Sequence, residues 1–135
     1  MPRLDVANRI SCICIDAVDR GTVAEFWKAA LGLEIREVDD EGISLGPPEG
    51  GLPTVDILRV PEPKTVKNRL HLDLRADGAT TDAELERLLT LGATPVDIGQ
   101  GTDVDWVVLA DPDGNEFCLL RRTVQELQAG PEVPA

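Results

Sequence analysis

Cys12 and His71 stand at matching places in two halves of the chain, for ten residues after each comes a Thr that opens the same four-residue pattern. Thr22-Val23-Ala24-Glu25 and Thr81-Asp82-Ala83-Glu84 both have the spacing of a capping box. In that motif the hydroxyl accepts from a free amide of the first helical turn and the Glu reaches back to the cap. Leu31-Gly32 and Leu91-Gly92 then close two helices at equivalent distances from those Thr residues, each with the residue that best tolerates a left-handed helix end. A repeat on this scale marks duplicated half-domains. It sets a thiol in the first half where the second has the chain's one imidazole. Both groups are metal-capable, and His71 equally suits a general base or a hydrogen-bond partner of a bound molecule.

The other cysteines are Cys14 and Cys118. Two residues apart on one strand, Cys12 and Cys14 have poor geometry for bridging each other, so all three read as reduced thiols. Three roles suit them: small buried apolar groups, ligands of a Cys–His–Cys centre, or a reactive thiol whose pKa is depressed by His71.

These groups must be held by strands. Ile10 to Val18 alternates, with Ser11, Ile13 and Ile15 on one face and Cys12, Cys14 and Asp16 on the other. From Thr22 to Leu31 a helix carries Val23, Phe26, Trp27, Ala30 and Leu31 as one stripe, which packs on the Ile13/Ile15 face. Short strands follow near Glu34–Val38, Ile43–Leu45 and Thr54–Val60, separated by Gly and Pro clusters. Pro61-Glu62-Pro63-Lys64 breaks the chain between halves of about 9–61 and 67–121. The second half repeats the order: a strand over Arg69–Arg75, a helix over Thr81–Leu91, and strands near Thr94–Ile98, Val104–Ala110 and Glu116–Arg121. Residues 122–135 form a short helical or irregular tail. The pattern is βαβββ twice, within a single domain spanning 1–135.

Strand parity then sorts the second half. Leu70, Leu72 and Leu74 face the helix stripe of Leu85, Leu88 and Leu89, which leaves His71, Asp73 and Arg75 on the other side. If Phe117 and Leu119 also lie under a helix, Glu116, Cys118 and Leu120 share the face of His71. Asp73 and Arg75 suit an ion pair with each other or with Asp16, and a guanidinium at a pocket rim suits an anionic ligand. Trp106 suits a wall on which a flat ligand stacks. The segment Lys64-Thr65-Val66-Lys67-Asn68-Arg69 concentrates hydrogen-bonding side chains that either hold an anion or pin the linker. Asp111-Pro112-Asp113-Gly114 reads as a tight turn leading into the last strand.

With 135 residues, 42% of them hydrophobic, the chain has enough apolar material for one core. Its net charge of −12 argues against nucleic acid and anionic membrane surfaces as partners. No apolar run has the length of a signal peptide or a membrane span, and reduced cysteines fit the cytoplasm. Tyr is absent and Phe and Trp contribute two residues each, so a pocket would be walled mostly by aliphatic groups.

The ordered set of the βαβββ repeat, Phe26-Trp27-Lys28-Ala29-Ala30-Leu31-Gly32-Leu33 and Asp111-Pro112-Asp113-Gly114-Asn115-Glu116-Phe117 resembles the vicinal oxygen chelate superfamily. That superfamily includes glyoxalase I, extradiol dioxygenases, fosfomycin-resistance transferases and bleomycin-binding proteins. Val60 to Leu74 is similar to its glyoxalase-like subgroup, and the resemblance covers roughly residues 9–121. It implies an α+β fold in which two tandem βαβββ modules form a curved, mixed, mostly antiparallel sheet around a cavity, helices outside. The edges of the half-sheets point to a homodimer, formed by side-to-side packing or by exchange of halves. In metal-dependent members the ligands come from the first and last strands of each half. Carried over by position, they fall on Cys12, His71 and Cys118, with the fourth on Leu58, which cannot bind metal. Either no metal is bound, or one divalent ion, zinc suiting Cys and His ligands best. Two functions are therefore expected to compete. One is a small-molecule binding protein, protective against a natural product or reactive metabolite, with His71, Trp106, Glu116, Asp73 and Arg75 about the ligand. The other is a metal-dependent lyase, isomerase or transferase with an altered Cys/His centre.

Overall fold

The alternation of Ile13 and Ile15 with Cys12, Cys14 and Asp16 is realised as strand β1 (Cys12–Ala17). In the computed structural model, which describes residues 7–96 and 106–130, there follow α1 (Arg20–Leu31), β2 (Glu34–Val38), β3 (Gly42–Gly46) and β4 (Thr54–Arg59). The second half repeats the order with β5 (Leu72–Leu74), α2 (Thr81–Leu91), β6 (Thr94–Pro95), β7 (Trp106–Ala110) and β8 (Glu116–Leu120), and adds a short α3 (Val124–Gln128). The expected strand residues 97–98 and 104–105 lie outside the described residues.

The chain divides into two compact units, Met1–Pro61 and Glu62–Ala135, at the expected Pro61-Glu62 break. Each carries a four-stranded mixed sheet, ordered β1-β4-β3-β2 in the first and β5-β8-β7-β6 in the second. In both, the first strand pairs in parallel with the fourth, and the remaining neighbours are antiparallel. The fold is α+β, built of two tandem βαβββ modules of identical connectivity.

Register assigns the faces. Ile13 lies opposite Val55 and Val55 opposite Leu45; Ile15 lies opposite Ile57 and Ile57 opposite Ile43. These residues form the apolar face on which α1 seats Val23, Ala24, Phe26 and Trp27, with the two rings edge to face at 5.2 Å. In the second unit Leu72, Phe117 and Leu109 align, as do Leu74, Leu119 and Val107, and Leu88 of α2 is buried with Phe117, Leu109 and Leu119. Leu72, Leu74 and Leu89, like Ile13 and Ile15, are half-buried.

Leu70 departs from expectation, being 90% exposed. The ladder of β5 spans only Leu72–Leu74, so the parity of those leucines does not extend back to residue 70. The helix starts differ as well. Asp19 caps α1: its Oδ1 accepts from the Thr22 amide and its Oδ2 from the Thr22 hydroxyl. Thr80 caps α2 by accepting from the Ala83 amide. Thr81 instead donates to the Arg121 carbonyl, and Glu84 pairs with Arg87 at 2.7 Å. The caps therefore lie three residues before Thr22 and one before Thr81, because Asp19 and Thr80 are themselves good caps. A complete capping box forms at α3, between Thr123 and Glu126. The helix ends are as expected, with Gly32 left-handed at φ 66° and Gly92 at φ 120°.

In β2 the register slips between Ile35 and Glu37, leaving Arg36 at a bulge. Its guanidinium donates to the carbonyls of Pro47 and Gly51, and lies so close over Gly46 that a Cβ there would fall 2.2 Å from Arg36 Nε.

Candidate functional site

The face of the second sheet turned away from α2 carries the residues that parity singles out. Asp73 lies opposite Cys118, Cys118 opposite Val108, and Leu120 opposite Trp106. With Lys67, His71 and Glu116 they line a cavity of about 260 Å³. Trp106, Val108 and Leu120 make its apolar wall. Trp106 is 38% exposed, which leaves indole surface open to a ligand.

Three donors meet at one side of this cavity. His71 Nε2 lies 3.2 Å from Asp73 Oδ1, and donor atoms of His71, Asp73 and Cys118 all fall within 4.8 Å of one another. Burial pushes the Cys118 thiol up, and the charge and hydrogen bond of Asp73 push it further; Lys67 offsets part of this. Cys118 is therefore a neutral thiol at pH 7 and a poor nucleophile on its own. An imidazole, a carboxylate and a thiol with one position left open is a donor set that fits zinc, whose charge would deprotonate the thiol.

Glu116 is committed elsewhere. Its Oε2 accepts from Lys64 Nζ at 2.6 Å and its Oε1 from the Asn68 amide at 3.2 Å. Both side chains of the ion pair are largely buried, 15% exposed for Lys64 and 11% for Glu116. Burial by itself would raise the Glu116 carboxyl, but the Lys64 and backbone hydrogen bonds outweigh it and hold the group below the usual range. Asn68 Nδ2 also donates to Asn115 Oδ1. Of the two roles open to the 64–69 segment, the structure realises pinning: Lys64 and Asn68 strap it to the start of β8. Lys67 alone of this stretch lines the cavity. The turn before β8 is built on buried Asp111, whose Oδ1 accepts from the amides of Asp113 and Asn115.

Arg75 does not line the cavity; it lies beyond β5 and donates to the Arg122 carbonyl at 2.9 Å. The expected ion pair of Asp73 with Arg75 is replaced by the contact with His71. Cys12 belongs to the first unit, where Cys12, Cys14 and Asp56 form a second three-donor group. Asp56 lies opposite Cys14 just as Cys118 lies opposite Asp73. Sequence reasoning misses Asp56 and takes Leu58 as the fourth position. Leu58 lies opposite Asp16, one pleat further along. A signal for Asp56 is present in the chain: Thr54, Asp56 and Leu58 alternate with Val55 and Ile57, and Asp56 sits in the last strand of its half as Cys118 does in the other.

The fold recurs in solved structures. Fosfomycin resistance protein FosX from Mesorhizobium loti superposes with a TM-score of 0.64 at 16% identity, over 93% of this chain and 100% of that one. TnmS3, an antibiotic binding protein from Streptomyces sp. CB03234, gives 0.60 at 19%, over 88% and 99%. A glyoxalase/bleomycin resistance protein from Albidiferax ferrireducens T118 gives 0.56 at 23%, over 84% and 98%. No curated protein matches the sequence. A family model described as a glyoxalase-like domain matches residues 12–120, through both βαβββ modules. By that match the chain belongs to the glyoxalase-like domain family.

Proposed function

We propose that the protein binds a small, partly flat organic molecule in the cavity of its second unit, and that it protects against a natural product or reactive metabolite by sequestering it. The observation that carries this reading is the cavity itself: an apolar wall with an open indole, faced by a few polar groups, in the way ligand pockets combine shape with sparse polar recognition. Trp106 supplies stacking area; His71, Asp73 and Lys67 orient the ligand. Glu116 contributes by holding the Lys64–Asn68 strap that carries Lys67. The antibiotic-binding and resistance proteins among the fold's relatives supply the protective context.

A second reading rests on the clustered donors His71, Asp73 and Cys118. In it the protein is a metal-dependent lyase, isomerase or transferase of the glyoxalase type. The ion would act as a Lewis acid toward a substrate oxygen, while the chain's own residues hold it and wall off water.

Elemental analysis separates the two, on protein purified without chelator or affinity-tag metal. The binding reading expects no stoichiometric metal dependent on His71, and ligand-induced thermal shifts that survive chelator and shrink in Trp106→Ala. One metal per chain that disappears in His71→Ala refutes it in favour of the metal enzyme. A homodimer is part of the proposal, supported by β2, an edge strand exposed along its whole length with Ile35 and Val38 outward. So is a reducing, cytoplasmic setting, supported by three free cysteines; among the described residues no helix is long and apolar enough to cross a membrane.

A further inference from the structure

The first unit repeats the donor arrangement of the second with softer ligands. Cys12 corresponds to His71 and Cys14 to Asp73, at the same offset along the repeat, and Asp56 corresponds to Cys118. Residues two apart on a strand project from the same face, so Cys12 and Cys14 present their thiols side by side, with Sγ atoms 3.8 Å apart. Tetrahedral bonds of about 2.3 Å to a shared zinc would set two sulfurs about 3.8 Å apart, the separation already present. The donor atoms of Cys12, Cys14 and Asp56 all lie within 4.8 Å of one another.

The carboxylate is held for this role. Ser44 Oγ donates to Asp56 Oδ1 at 2.8 Å and Thr54 Oγ1 at 3.1 Å, which fixes the carboxylate's orientation beside the thiols. Outer hydrogen bonds of this kind orient the ligands in metal sites. Both cysteines are exposed and Asp56 is half-buried, so the group is open to an incoming ion. Two thiols and a carboxylate so placed offer three donor atoms to one entering cation.

We propose that Cys12, Cys14 and Asp56 form a binding site for a thiophilic cation of the zinc and cadmium class, with three protein ligands from the first unit and a fourth position left to water. Each thiol gives up its proton to solvent as its sulfur bonds the metal, and no electron changes hands. This inference is independent of the ligand cavity in the second unit.

Cadmium chloride titrated into chelator-stripped full-length protein, kept reduced with a phosphine, tests it. The readout is the ultraviolet thiolate-to-cadmium charge-transfer band, with circular dichroism as a control for folding. Wild type should saturate at one equivalent for this site. Cys14→Ser should lose about half the band, and Asp56→Asn should keep the band but bind about ten-fold more weakly. Cys118→Ser and His71→Ala should retain the Cys14-dependent signal. A wild-type protein with no band overturns the proposal, as does a band unchanged in both Cys14→Ser and Asp56→Asn, or one abolished by Cys118→Ser while the fold persists.

Discussion

Replacing Glu116 with Gln removes one negative charge and one acceptor from the strap that borders the cavity of the second unit. The carboxylate takes a 2.6 Å bond from the Lys64 ammonium on one oxygen and the Asn68 amide on the other. A Gln amide offers a single acceptor and presents two donors of its own, so it satisfies either Lys64 or Asn68 and faces the other with an N–H. Hydrogen bonds to charged groups contribute about 1.5–3 kcal/mol, and the low exposure of both side chains places this pair toward the upper part of that range. A loss of about 2–3 kcal/mol follows, equivalent to about 6–9 °C in Tm for a chain of this length. The dependence on pH carries the sharper signature. Folding holds the Glu116 carboxyl below its ordinary value, so in acid the unfolded state binds more protons than the folded one. The stabilisation is present above the ordinary Glu range, about 4.3, and is lost as pH falls through the lower folded value. Urea unfolding of wild type and Glu116→Gln from pH 7 to pH 3 should show the gap between them closing in acid. Lys64→Met in each background should reveal a coupling above about 1 kcal/mol. A gap that stays constant with pH, or a coupling near zero, refutes the strap as an electrostatic device.

Leu88→Ala should cost about 2–5 kcal/mol because its side chain is fully buried, whereas Leu70→Ala should change chemical-denaturation stability by less than about 0.5 kcal/mol. Asp111→Ala removes the carboxylate that accepts from the amides of Asp113 and Asn115 and should destabilise by about 1–3 kcal/mol, read as a lower urea midpoint. Trp106→Ala should weaken ligand binding about ten-fold or more with little change in Tm, since the indole is partly exposed and its stacking surface is what a ligand would use; isothermal titration with any ligand found by thermal shift checks this.

Local periodicity carries most of the fold. Alternation in Cys12–Ala17 and Glu116–Leu120 assigns the faces, and the two Leu-Gly pairs fix both helix ends. What periodicity cannot encode is where a ladder begins. Leu70 continues the leucine alternation, yet it precedes the paired residues of β5 and stands in solvent. Helix starts escape sequence reasoning for a related reason. Thr80 and Thr81 are both competent to cap, and the one that does so is Thr80, which takes the Ala83 amide while Thr81 donates to the distant Arg121 carbonyl. At the site, Cys118 and Glu116 fall with His71 as parity requires, because parity is local. The commitment of Glu116 to Lys64, far away in sequence, is beyond its reach, as is the pairing of Asp56 with Cys14 across a parallel ladder.

The bulge at Arg36 ties together positions on two neighbouring strands. Its guanidinium crosses Gly46 to hold the carbonyls of Pro47 and Gly51, and it fits only because Gly46 has no side chain. Neither residue can drift alone. A side chain at 46 would force Arg36 aside and strain its bonds to the 47–51 loop, while an apolar residue at 36 would remove both of those bonds. Relatives of this chain should therefore exchange the two together or keep both. An engineer grafting a new loop here inherits the same constraint: insertions belong between Pro47 and Gly51, with the Arg–Gly pair left in place as the clasp that closes whatever is inserted.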